Sequence, residues 1–150
     1  MIIEVKSVTE MQEFGQRLAH VLHGGEIIEL VGDMGAGKTT LTKGIAKGLG
    51  IDDDIQSPSF TINRIYSVND EVTLAHYDFY RLNEAGIMQQ ELSEAISDPH
   101  TIVIIEWADI VKDVLPTDRL TLHITATSEN SRRIVMDAIG EASRLIVKQL

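Results

Sequence analysis

Ile27-Ile28-Glu29-Leu30-Val31-Gly32-Asp33-Met34-Gly35-Ala36-Gly37-Lys38-Thr39-Thr40-Leu41 joins a compact apolar run to a glycine-rich turn, and the turn to residues at helical spacing. Ile27 to Val31 is β-branched and apolar, as suits a buried strand. Gly32, Gly35 and Gly37 then punctuate the chain. From Lys38 onward Leu41, Ile45 and Leu49 form one helical stripe, and Gly50 stands where a helix C-terminal glycine belongs. Gly32 to Thr39 fits the pattern G-x-x-x-x-G-K-[ST], placed between strand and helix as its mechanism requires. Only a backbone freed of side chains can turn successive N–H groups inward around an anion. Lys38 adds a point charge for β- and γ-phosphates, Thr39 a hydroxyl for Mg²⁺, and the following helix its dipole. The segment Asp33, Met34, Gly35, Ala36, Gly37, Lys38 and Thr39 is therefore expected to hold the phosphates of ATP or GTP with magnesium.

Working outward, Met1 to Lys6 reads as a short edge strand. Ser7-Val8-Thr9-Glu10 has capping-box spacing and opens a helix running toward Val21, with Phe14, Leu18, Val21 and Leu22 as its apolar face. Ile51 to Thr61 is loop-like and includes the solvated run Asp52-Asp53-Asp54. Ile62–Val68 and Val72–Tyr77 resemble a hairpin around Asn69-Asp70. Asn83 to Ser97 predicts a helix, Thr101 to Ile105 a buried strand, and Ile110 to Leu115 a short helix ended by Pro116. Leu120–Thr125 and Arg132–Ala138 follow as strands, and Glu141 to Leu150 as a closing helix. Alternating helices and buried strands predict an α/β three-layer P-loop NTPase fold, its sheet mainly parallel with antiparallel additions at the edges. A length of 150 residues fits one such domain.

A phosphate loop needs an acidic group at the end of a neighbouring strand, and Thr101-Ile102-Val103-Ile104-Ile105-Glu106 delivers one. It would bring Glu106 to the carboxyl edge of the sheet, where ligands of open α/β sheets sit. Leu74-Ala75-His76-Tyr77-Asp78 offers a second carboxylate, and Asp78 can hold a magnesium-bound water or orient an attacking one. His76 and Asp78 share a strand face, a spacing that more often marks a structural hydrogen bond than a metal site. Arg81 can counter phosphate charge or pair with a nearby acid, the structural role being favoured.

The formal charge of -10 excludes a broad electrostatic footprint on nucleic acid, which needs clustered Lys and Arg. It suits solubility or a basic protein surface. The chain has no cysteine, which rules out disulfides, thiolate metal sites and cysteine nucleophiles. No apolar stretch is long enough to cross a bilayer, and the N-terminus lacks signal-peptide character, so the protein is expected to be cytosolic.

The phosphate loop, Ser57-Pro58-Ser59-Phe60-Thr61, His76-Tyr77-Asp78-Phe79-Tyr80-Arg81-Leu82 and Ile105-Glu106-Trp107 together resemble the TsaE family, formerly YjeE. The resemblance spans nearly the whole chain. It implies the small bacterial ATPase of tRNA threonylcarbamoyladenosine biosynthesis, using ATP and Mg²⁺. Such a protein binds a heterodimer of a threonylcarbamoyl transferase and its paralogous partner subunit, and touches tRNA only indirectly. It also implies that Lys38 and Thr39 bind phosphate and metal, that Asp78 and Glu106 serve metal and hydrolysis, and that Thr40 and Trp107 lie beside the nucleotide. Ser57, Ser59 and Thr61 would belong to a switch loop. Ser59 departs from the family's usual threonine but keeps the hydroxyl. From physics alone, an aromatic such as Trp107 after a buried strand is more often packing.

Two other readings share the loop. A small-molecule kinase needs a lid with arginines, and here Arg64, Arg81, Arg132 and Arg133 are sparse. A nucleotide-gated interaction module would bind ATP with little hydrolysis. A GTPase is disfavoured because no Asn-Lys-x-Asp element occurs.

Overall fold

The computed structural model describes residues 1–56, 62–80 and 82–150. The expected switch residues Ser57, Ser59 and Thr61, and also Arg81, lie outside the described residues. One seven-stranded sheet organises the chain. In chain order its strands are β1 (Ile2–Val5), β2 (Ile27–Val31), β3 (Asn63–Ser67), β4 (Thr73–Asp78), β5 (Thr101–Glu106), β6 (Leu120–Ala126) and β7 (Arg132–Ala138). In space they run β1-β7-β6-β2-β5-β4-β3. β2 pairs parallel with β5 and β6, and β4 parallel with β5. The β3–β4, β6–β7 and β1–β7 pairs are antiparallel. The parallel centre is formed by the runs richest in buried apolar residues, as strands covered on both faces require.

Among the described residues four α-helices accompany the sheet: α1 (Val8–Ala19), α2 (Lys38–Gly48), α3 (Met88–Ser97) and α4 (Glu141–Gln149). The side-chain period of two sends Ile28, Leu30, Leu74, Ile102, Ile104 and Leu122 to one face. There they join Met11, Phe14 and Leu18 of α1 and Leu41 and Ile45 of α2 in one core. Ile27, Ala75, Tyr77, Val103 and Ile105 point the other way and pack with Leu92 of α3 and Val111. The three-layer α/β architecture expected of a P-loop NTPase fold is thus the one found.

Local chemistry accounts for most boundaries. Ser7 caps α1, accepting from the Glu10 N–H at 3.0 Å, while the Glu10 carboxylate accepts from the Lys6 N–H rather than from Ser7. α2 ends in a Schellman arrangement at Gly50 (φ 82°), with bonds from Gly50 N to Lys47 O and from Ile51 N to Ala46 O. α1 and α2 meet so closely that a Cβ on Gly15 would stand 2.7 Å from Leu41 O. α4 begins at Gly140, whose missing side chain is replaced from a distance. Asp118 accepts from the Ala142 and Ser143 N–H groups, each at 2.9 Å.

Two expectations need correction. The helix expected from Asn83 starts only at Met88, because Gly86 takes a left-handed φ of 56° and holds the preceding residues in turns. The helix expected at Ile110–Leu115 is a 3-10 segment, Ala108–Val114. It begins immediately after Trp107, whose own φ is 55°. Among the described residues, no helix is long and apolar enough to cross a membrane.

Candidate phosphate-binding site

The carboxyl end of β2 feeds directly into the glycine-rich turn. Gly32 abuts β6 there, since a Cβ would come 2.7 Å from Ile124 O. Gly35 and Gly37 take φ values of 79° and 109°, which disfavour other residues. Ala36 N bonds Asp33 O and closes the turn. Gly37 is the N-cap of α2 and has no side chain to cap it, so the amide end of the helix is presented to the turn.

Lys38 is only 6% exposed. Its Nζ donates to Gly32 O at 2.6 Å and lies 4.1 Å from the centre of the Trp107 ring. Burial pulls the ammonium below its ordinary value, against the opposing attraction of Glu106, Asp78 and Asp33. These three carboxylates thus bear electrostatically on the lysine that the turn presents.

Strand register puts the acids there. Asp78 pairs with Glu106 across β4 and β5, and Glu106 pairs with Leu30 across β5 and β2. All three point to the face occupied by α1 and α2, the face from which Lys38 projects. Both carboxylates are buried, Asp78 at 4% exposure and Glu106 at 3%. Asp78 Oδ1 accepts from the Tyr80 N–H at 2.9 Å, and the ladder continues with Phe79 N to Glu106 O. The Tyr80 and Trp107 rings meet tilted by 41°, with their centres 4.9 Å apart. Trp107 therefore lies between Tyr80 and the Lys38 ammonium.

His76 does not bond Asp78, its neighbour on the strand. Its Nε2 lies 2.6 Å from Glu106 Oε2, across 30 residues of sequence. The hydrogen bond expected of this motif exists, but its partner is on the adjacent strand.

Cavities lined by described residues border the turn. One, of about 170 Å³, is lined by Gly32, Asp33, Lys38, Trp107 and Asp109. A second, of about 410 Å³, separates Asp33 to Ala36 from the end of β6. The third lies beside the start of α2, between Ser7, Met11, Thr40, Asn130 and Arg132. Sequence reasoning overlooked Arg132 as a site residue. It projects from β7 on the face of α1 and α2, its Nε donates to Ala36 O at 3.0 Å and its Nη2 to Gly35 O at 3.3 Å. No local pattern reveals a contact between residues 96 apart.

The side chains here that could take a cation are hard oxygen donors: the Thr39 hydroxyl and the carboxylates of Asp78 and Glu106. Among the described residues, no group of three or more His, Asp or Glu could hold a metal unaided. Magnesium keeps most of its waters and takes one or two protein ligands along with substrate phosphates, so a hydroxyl and one carboxylate are donors it could use.

The chain resembles known proteins along most of its length. The family model described as "Threonylcarbamoyl adenosine biosynthesis protein TsaE" matches residues 5–134. The protein of that name from Streptomyces coelicolor is 36% identical, over 87% of this chain and 92% of its own. The one from Bacillus subtilis is 37% identical, over 84% of this chain and 78% of its own. Among solved structures, that of Bacillus subtilis YdiB superposes with a TM-score of 0.81 at 29% identity, covering 99% of this chain and 92% of the other. By sequence along most of its length, and by a fold shared with a solved structure, the chain belongs to the TsaE family of threonylcarbamoyl adenosine biosynthesis proteins.

Proposed function

We propose that the chain is a magnesium-dependent ATPase, and that its hydrolysis supports tRNA threonylcarbamoyladenosine formation by the threonylcarbamoyl transferase and its paralogous partner subunit. The observation that carries this reading is the convergence on one sheet face of a buried lysine at a glycine-rich helix start and two buried carboxylates at adjacent strand ends. Asp33 to Thr39 encloses the phosphates through backbone N–H groups, and the uncapped start of α2 faces their charge. Lys38 leaves Gly32 O for the β- and γ-phosphate oxygens and regains there the charge stabilisation that burial removes. Thr39 and Glu106 would hold magnesium, which would supply charge neutralisation at the phosphates. Asp78 orients the attacking water, and Trp107 and Thr40 flank the nucleotide. The cavity between Thr40, Asn130 and Arg132 adjoins the loop on the side away from the carboxylates and accommodates the rest of the nucleotide. We assign the switch role to Ser57, Ser59 and Thr61 from the family resemblance alone, and a cytoplasmic setting from the tRNA-modifying role.

The kinase reading gains nothing from Arg132, whose guanidinium is engaged by the carbonyls of the loop itself. Calorimetry with ATP and magnesium tests the assignment. Lys38→Ala should abolish binding, and Glu106→Ala should keep binding while losing hydrolysis. Full affinity in the first variant, or undiminished turnover in the second, refutes the assignment of that residue.

A further inference from the structure

His76 is a buried polar group to which phosphate capture and hydrolysis give no task. It sits inside β4, opposite Ile104 on β5 and Arg64 on β3, and is wholly excluded from solvent. Leu74 and Ile104, also fully buried, surround it on the same face. An imidazole in such a slot costs more than an aliphatic side chain unless its nitrogens are bonded. Only one is. Nε2 meets Glu106 Oε2 at 2.6 Å, whereas Nδ1 has no hydrogen-bond partner among the described residues. A carboxylate oxygen accepts, so the proton of this bond is carried by Nε2. The imidazole's polar contact among the described residues is with the carboxylate that the ATPase reading places on magnesium.

We propose that His76 is the positioning residue for Glu106, its Nε2–H holding Oε2 so that Oε1 stays turned toward the phosphate loop. A free glutamate samples several rotamers, and one tethered oxygen selects among them. Partners that orient a metal-binding group from behind in this way are commonly worth ten- to a hundredfold in affinity or rate. Asp78 is held in a comparable way, by the Tyr80 N–H. The proposal rests on the ATPase reading, and its test separates the two.

The test uses His76→Leu, which removes the donor at similar volume, and His76→Gln, whose amide can restore it. ATP affinity without magnesium should match the parent in both. In His76→Leu the gain in ATP affinity on adding magnesium, read by calorimetry, should shrink about tenfold. Its kcat should fall by a similar factor, with the KM for ATP nearly unchanged. His76→Gln should recover most of both. In a Glu106→Gln background, His76→Leu should add nothing, because it acts through Glu106. If His76→Leu does not fold, His76→Asn, whose shorter amide stops short of Glu106, takes its place. A parent-like magnesium response in the donor-less variant, or effects that multiply with Glu106→Gln, overturns the proposal. If the parent chain never releases phosphate, the ATPase reading fails, and the magnesium titration still decides the role of His76.

Discussion

Lys38 and Trp107 show how much a single contact can report. The ring is the only tryptophan in the chain, and the lysine Nζ lies 4.1 Å from its centre. A phosphate that draws the ammonium off Gly32 O changes the field at the indole. Magnesium ATP should therefore alter tryptophan emission in the parent and leave it unchanged in Lys38→Ala, a titration readable in a fluorimeter. Arg132 is the second test at this scale. Without its guanidinium the carbonyls of Gly35 and Ala36 lose their donors, and the turn loses its tie to β7. Arg132→Ala should weaken ATP binding by about 1–2 kcal/mol while leaving kcat at saturation close to the parent, as calorimetry and turnover together would show. The glycine-lysine turn was legible in the sequence because its chemistry is local backbone geometry. Arg132 and the His76–Glu106 bond were not legible, since each joins residues brought together only by sheet register.

Among the elements, those with strong apolar periodicity fall close to where the sequence places them. β2 and β5 are set by compact apolar runs and β7 by alternating buried and exposed residues, and α1 and α2 by apolar stripes bounded by Ser7 and Gly50. α3 starts late because the apolar pattern continues through Ala85, whereas Gly86 turns the backbone out of the helical region. The cap of α4 was beyond local reading, as its acceptor comes from Asp118 ahead of β6. Although partial burial raises it, donation from the Ser143 and Ala142 N–H groups leaves the Asp118 carboxyl below its ordinary value of 3.8. The sign follows directly. Its contribution is complete above that value and is lost as pH falls through the lower folded value. Asp118→Ala should cost about 1 kcal/mol near neutral pH, and the difference from the parent should vanish in strong acid, measured by urea unfolding at a series of pH values. The α1–α2 contact gives a second element-scale test. A Cβ on Gly44 would strike the backbone of Gln12, so Gly44→Ala should lower stability by about 1–3 kcal/mol, against the gain expected from helix propensity alone.

Across the whole molecule, the topology gathers the chemistry at one place. β2, β4 and β5 run parallel, so the turn after β2 and the acids ending β4 and β5 reach the same carboxyl edge. The alternation of helices and apolar runs made this architecture legible, and with it the meeting of Lys38, Asp78 and Glu106. The charge of -10 leaves the surface suited to a protein with basic regions rather than to direct grip on tRNA. Under the proposed function, turnover of ATP belongs to this chain and is governed by the transferase heterodimer. The most direct test follows the γ-phosphate of labelled ATP in magnesium buffer, first with the chain alone and then with the purified transferase heterodimer. Slow release of free phosphate that accelerates with the heterodimer is the predicted result; label moving onto a small acceptor, or a rate indifferent to the heterodimer, would contradict it.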